Sequence, residues 1–318
     1  MSRRVSIIIA VGVPGDYIRE CIGRCLALDY PDYEIIALPD EPWDPPDSSV
    51  RVIPTGRVRP AEKRDRGVEA ATGEIVAFID DDAYPEPDWL TKAVRHFDTP
   101  DVAAVGGPGM TPPSDGFLQK VSGWVYESPL VSGSYTYRYH PGRLTDVDDY
   151  PSSSLIMRTA DFLAAGGFDT GYWPGEDTIL CLKIVTELKR RIVYDPEVVV
   201  YHHRRRIFGP HLRQIKSYAL HRGFFAKRFP ATSLKPAYFV PSVFTVFLFA
   251  GWLPGLVMPL LTTFWIAVLG LYSALALAFS LRTANPAGIL GVFAGTVLTH
   301  ITYGVWFIRG LMVKELND

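Results

Sequence analysis

Charge is missing where a soluble enzyme would have it. No Asp, Glu, Lys or Arg occurs from residue 236 to residue 281, a stretch of 46 residues. Residues 1–235 hold 29 of the 32 Lys and Arg and 32 of the 34 Asp and Glu. A plain soluble enzyme and a disordered chain are both excluded by that split. Cysteine is scarce as well: Cys21, Cys25 and Cys181 are too few for a disulfide framework and suit a reducing compartment. The apolar run after Arg3 and Arg4 is too short for the core of a secretory signal and reads as a strand. No Gly-x-x-x-x-Gly-Lys-Ser/Thr loop occurs, which disfavours a P-loop nucleotide site. No Gly-x-Gly-x-x-Gly follows the first strand, which disfavours a dinucleotide enzyme. The net charge of −2 implies no general affinity for nucleic acid.

The uncharged stretch is long. As one helix it would reach roughly 69 Å, over twice the hydrocarbon thickness of about 30 Å. Gly251, Pro254, Gly255 and Pro259 supply a turn near its middle. A third apolar run extends over 283–308 and is interrupted by His300. The pattern predicts three membrane segments near 238–256, 260–281 and 287–308. Residues 202–235 carry nine Lys and Arg and no acid, which marks this flank as cytoplasmic. Within it, 211–229 interleaves Tyr218, Phe224, Phe225 and Phe229 with cations and predicts a helix in the membrane interface.

Residues 1–200 alternate strands and helices. The apolar run at 5–10 reads as a strand buried on both faces, 74–79 as another buried strand, and 33–38, 51–53, 102–105 and 197–201 as further strands. Helical spacing covers 16–28, 61–71 and 87–97. The succession implies an α/β domain with a mostly parallel, doubly wound sheet, whose ligands sit beyond the carboxyl ends of the strands. Asp40 and the run Asp80, Asp81, Asp82 stand at such ends.

Three clusters carry chemistry. The three acids suit a hard divalent cation such as Mg²⁺ or Mn²⁺, and an acidic helix cap explains them equally. The segment Gly166-Gly-Phe-Asp-Thr-Gly-Tyr-Trp-Pro-Gly-Glu-Asp177 reads as a shaped loop opening a helix at Thr178. A carboxylate there suits a general base, or complements the helix dipole. In Tyr201-His-His-Arg-Arg-Arg206, His202 suits a metal shell and Arg204 and Arg205 suit phosphate, unless the cluster is only the basic flank.

Taken in order, Val5-Ser-Ile-Ile-Ile-Ala-Val, Leu28-Asp-Tyr-Pro-Asp-Tyr-Glu-Ile-Ile, Asp40, the run from Lys63 to Ala83, Gly166-Gly-Phe-Asp and Gly175-Glu-Asp resemble a family 2 glycosyltransferase of GT-A fold with C-terminal transmembrane helices. The resemblance covers about residues 5–206. It implies that Asp40 binds the nucleotide base, and that Asp80 and Asp82 hold a Mg²⁺ or Mn²⁺ and the donor's diphosphate and ribose, with Asp81 beside them. It implies Asp177 as catalytic base, with Glu176 shaping the acceptor side. His202 is a further candidate metal ligand; Lys63, Arg64, Arg204 and Arg205 are candidates to neutralise the diphosphate. Two departures stand out: the second strand ends in Pro39-Asp40-Glu41 where two acids are usual, and Ala10-Val-Gly-Val-Pro14 replaces a Pro-x-Tyr/Phe-Asn turn. The Gln-x-x-Arg-Trp motif of processive synthases is absent, which argues for single-sugar transfer.

The expected organisation is a catalytic domain at 1–205, a basic interfacial segment at 206–235 and a membrane domain at 236–318. The expected activity is inverting, metal-dependent transfer from a UDP-, GDP- or dTDP-sugar to a lipid-linked or glycan acceptor at the cytoplasmic face of a cell membrane, as in polysaccharide or glycolipid synthesis. Membrane lipids are expected partners and nucleic acid is not. The alternatives are a polyprenyl-phosphate hexose synthase and a non-catalytic membrane-bound binding protein on the same fold.

Overall fold

The computed structural model describes residues 3–168 and 171–316. The chain forms two compact units: residues 1–112 with 137–203, and residues 113–136 with 204–318.

The first unit is an α/β layer structure. Its strands are β1 (Val5–Ala10), β2 (Tyr33–Leu38), β3 (Val50–Val52), β4 (Ile75–Asp80), β5 (Ala83–Pro85), β6 (Val102–Gly106), β7 (Gly109–Met110), β8 (Thr145–Val147), β9 (Ser154–Arg158), β10 (Arg191–Tyr194) and β11 (Val200–His202). The main sheet runs β3-β2-β1-β4-β9-β6-β10-β8, and a small sheet runs β5-β11-β7. β1 is parallel to β2 and β4, in a register that sets Ala10 beside both Leu38 and Asp80. The runs VSIIIA and IVAFID are buried because helices cover both faces of these central strands.

Sequence spacing explains those helices. Asp16–Cys25 buries Ile18, Cys21, Ile22 and Cys25, one stripe at helical period. Pro60–Ala70 starts on a proline, whose fixed φ suits a first helical position. Gly67 lets that helix lie against the sheet, since a Cβ there would meet Ile8 Cγ2 at 2.6 Å. Lys63 and Arg64 are thereby brought to the carboxyl ends of the strands.

The main sheet is mixed, with four of its seven pairings parallel: β9 runs antiparallel between β4 and β6, and β8 runs antiparallel to β10. Two expected boundaries are corrected. The helix expected from Thr178 begins at Glu176, and the strand expected at 197–201 is Val200–His202.

In the second unit, the helix Phe117–Glu127 buries Val121 and Val125 with Ile207 and Val292. Among the described residues, three helices are long and apolar enough to cross a membrane: Pro236–Leu256, Pro259–Thr283 and Pro286–Met312. Each opens on a proline, where the missing N–H leaves no helical hydrogen bond unmade. The third reaches four residues beyond the expected end at 308, taking in Arg309, whose guanidinium lies over the Trp306 ring at 4.8 Å. The basic helix is Gly209–Arg228. It crosses Pro286–Met312 at paired glycines, where a Cβ on Gly310 would meet Leu220 O at 2.2 Å. Not all its cations face outward: Lys216 Nζ sits 4.0 Å from the Trp306 ring centre and Lys227 Nζ donates to Val313 O at 2.6 Å.

Candidate active site

The site lies where the carboxyl ends of β1, β2 and β4 meet the end of β11. Three adjoining places make it up, all within the first unit.

On the β2 side, Asp40 follows the strand by two residues and donates its N–H to Gly12 O at 3.0 Å. Lys63 Nζ is 2.6 Å from Asp40 Oδ1 and also donates to Thr55 Oγ1 at 2.8 Å and Leu38 O at 3.3 Å. Lys63 is 3% exposed, so its charge is directed at Asp40 and the end of β2. Glu41, beside it, is exposed.

At the end of β4, Asp80, Asp82 and His202 each offer one ligand atom, and these atoms lie within 4.8 Å of one another. His202 Nε2 is 3.0 Å from Asp82 Oδ1. Two carboxylates and an imidazole form a donor set suited to Mn²⁺ or Mg²⁺. The next helix, Trp89–Val94, has Asp88 at its N-cap, so the acids at 80–82 do not cap it. Asp81 is half-buried and stands outside this trio.

The third place is the start of the helix Glu176–Thr186. Asp177 accepts from Thr178 N–H at 2.8 Å and Ser152 N–H at 3.4 Å. Glu176 is 5% exposed and faces Arg64. The loop before this helix is shaped by Gly166 and Gly167, at φ +80 and +67, and by Phe168 N–H donating to Asp65 Oδ1 at 2.9 Å. Asp169 and Thr170 of the predicted motif lie outside the described residues.

Arg64 joins the second and third places. Its Nη2 is 2.7 Å from Asp80 Oδ1 and its Nη1 is 3.2 Å from Glu176 Oε1. Burial alone would lower its pKa, but the two carboxylates more than offset this and hold it above the ordinary guanidinium value. Lys63, Arg64 and Asp65 thus serve three different loops from one helical turn.

Arg204 and Arg205 belong to the second unit. There Arg204 donates its N–H to Asp115 at 3.1 Å and places its guanidinium 5.9 Å from the Tyr126 ring centre, while Arg205 is exposed.

Sequence reasoning passed over Asp149 and Arg138. Asp149 accepts from Thr178 Oγ1 at 3.0 Å through its carboxylate and from Arg138 Nη2 at 2.6 Å through its carbonyl. That buttresses the turn carrying Asp177. Nothing local marks Asp149, because its partners lie 29 and 11 residues away.

Comparison with known proteins agrees with this geometry. Residues 6–162 match the family model described as glycosyl transferase family 2. A pre-mycofactocin glycosyltransferase of Mycobacterium tuberculosis is 32% identical over 146 residues, which is 46% of this chain and 30% of that protein. A glucosyl-dolichyl phosphate glucuronosyltransferase of Haloferax volcanii is 28% identical over 154 residues, 44% of this chain and 46% of the relative. The matches therefore span less than half the length of either relative. The solved structure of mannosyltransferase PcManGT from Pyrobaculum calidifontis, in complex with GDP-Man and Mn²⁺, superposes with a TM-score of 0.56 at 20% identity, covering 93% of this chain and 88% of that one. At that identity the likeness speaks for the fold, which is GT-A. On the family match, the motif order and the fold together, this chain carries a glycosyl transferase family 2 domain.

Proposed function

We propose that the protein is an inverting, divalent-metal-dependent glycosyltransferase, moving one sugar from a nucleotide sugar to a lipid-linked acceptor at the cytoplasmic membrane face. The observation that carries this reading is the trio Asp80, Asp82 and His202, joined through Arg64 to the helix that presents Asp177. Asp80, Asp82 and His202 would hold the cation, which supplies neutralisation of the departing diphosphate. Asp40, fixed by Lys63, faces the nucleotide base. Asp177 takes the proton from the acceptor hydroxyl as its oxygen attacks the anomeric carbon opposite the leaving group. Glu176 and Arg64 keep that carboxylate in place relative to the donor.

The lipid part of the proposal rests on the three apolar helices and the one-sided basic flank. The names of relatives support it: the Haloferax protein is named for action on glucosyl-dolichyl phosphate. The GDP-Man and Mn²⁺ of the Pyrobaculum complex support a nucleotide-sugar donor and a divalent metal.

The test uses the full chain in detergent with a lipid extract. UDP-, GDP- and dTDP-sugars carrying a radiolabel are supplied in turn with Mn²⁺. Label should enter the organic phase with one donor, and Asp177→Asn should suppress it. Label confined to water-soluble product would overturn the lipid acceptor. Full transfer by Asp177→Asn would favour a phosphate acceptor, which needs no strong base, as in a polyprenyl-phosphate hexose synthase.

A further inference from the structure

His202 and His203 are chain neighbours with opposite allegiances. His202 turns to the metal trio, with Nε2 3.0 Å from Asp82 Oδ1. His203 turns away and is buried. Its Nε2–H donates to Glu20 Oε2 at 3.0 Å. The Tyr17 ring stacks on its imidazole at 4.3 Å, and the Tyr84 ring lies 5.8 Å away. Its backbone N–H donates to Asp82 O at 2.9 Å. The residue is thus fastened at both ends, by its side chain to the helix Asp16–Cys25 and by its main chain to the acidic turn.

We propose that Glu20 and His203 form a positioning pair for the metal site, fixing the end of β11 so that the His202 imidazole stays beside Asp80 and Asp82. The pair rests on the metal reading given above and deepens it. Neither residue belongs to the trio that would hold the cation. Their effect passes through one peptide unit, because a rotation of residue 203 about the strand axis carries His202 with it. The helix bearing Glu20 also follows directly on the loop whose Gly12 O receives Asp40 N–H, so the same element abuts the nucleotide side. Glu20 keeps a third of its side chain in solvent, at 34%, so its contribution to stability is small and its role is separable from folding.

The experiment titrates the full-length protein in detergent with Mn²⁺ alone and follows the six-line paramagnetic resonance of the free ion. Glu20→Ala should weaken Mn²⁺ binding about tenfold, the lower end of what outer partners of metal ligands contribute. Glu20→Gln, whose amide oxygen still accepts from His203, should return to within about threefold of wild type, since the hydrogen bond rather than the charge does the positioning. Melting of both variants without metal should match wild type. Equal Mn²⁺ affinity in Glu20→Ala and wild type, while Asp82→Ala loses binding, overturns the pairing alone. Wild-type binding that Asp82→Ala leaves intact overturns the metal site itself and this proposal with it. A lower melting point for Glu20→Ala at unchanged Mn²⁺ affinity would make the contact merely structural, and it too overturns the proposal.

Discussion

Replacing Arg64 by Met keeps most of the side chain's volume and removes its charge. In the native protein the guanidinium is 6% exposed and serves two carboxylates, Asp80 at 2.7 Å and Glu176 at 3.2 Å. The two losses are unequal. Asp80 keeps 27% of its side chain in solvent and can rehydrate, whereas Glu176 keeps 6% and cannot. Removing one member of a buried ionic group costs about 3–5 kcal/mol, chiefly through the charge left behind. For a unit of this size, that is a fall in melting temperature of roughly 6–20 °C. The double variant Arg64→Met/Glu176→Gln removes the orphaned charge as well and should recover about half of the loss. The remainder reflects Asp80 and the lost contact with the Phe168 ring, 5.6 Å from the guanidinium carbon. Arg64→Lys should fall between, since an ammonium cannot fork to two acids in this geometry. Thermal melting of the detergent-solubilised proteins, followed by circular dichroism, measures all three. A shift of Arg64→Met below about 3 °C, or a double variant less stable than the single one, would refute the argument that a buried charge is what Arg64 compensates.

Asp177→Asn should leave nucleoside diphosphate affinity unchanged while turnover falls about 10²–10⁴-fold, the usual contribution of a general base, and steady-state kinetics beside calorimetry separates the two. His211, fully buried between Ser122 Oγ at 2.8 Å and Thr299 Oγ1 at 2.9 Å, is pushed by burial down to about 4. Its folded pKa lies below its unfolded value, so protonation favours the unfolded chain. Stability should hold above about pH 6.5, decline as pH falls towards 4, and lose about 3 kcal/mol in full, while His211→Gln should flatten that decline in a pH series of melts. Gly310→Val should strain the crossing of Gly209–Arg228 on Pro286–Met312, where no Cβ has room, and lower stability by about 1–3 kcal/mol; an unchanged melting point would mean that the helices are less closely apposed.

How much of this was legible beforehand depended on sequence separation. β1 and β2 coincide with their predicted ranges because a buried strand writes its burial as an apolar run, 7–10 in β1 and 35–38 in β2. The three long apolar helices were legible for the related reason that an uncharged run of this length stands out in the sequence. β9 was not. Its pairing with β4 joins Ser154 to Ile79 and Arg158 to Ile75, and no local pattern states which strand will insert antiparallel beside which. In the site, Asp40, Asp80, Asp82 and Asp177 were marked by their places after strands and at a helix start. What the sequence did not show for Lys63 and Arg64, read as candidates to neutralise a diphosphate, is that each pairs with protein carboxylates 16 to 112 residues away. Asp149 and Arg138 gave no signal, since their significance exists only once β8 and β9 bring them under Thr178.

The central claim is that Asp80, Asp82 and His202 bind a divalent cation that in turn holds the nucleotide. Calorimetric titration of the full-length protein with the nucleoside diphosphates, in Mn²⁺ and again in excess chelator, tests it most directly. The account predicts that one nucleotide binds at least about tenfold more tightly with Mn²⁺, a coupling of about 1.4 kcal/mol or more, and that Asp82→Ala abolishes the difference while melting as a folded protein. The same metal dependence in Asp82→Ala as in wild type would contradict it and return the acids after β4 to a structural turn.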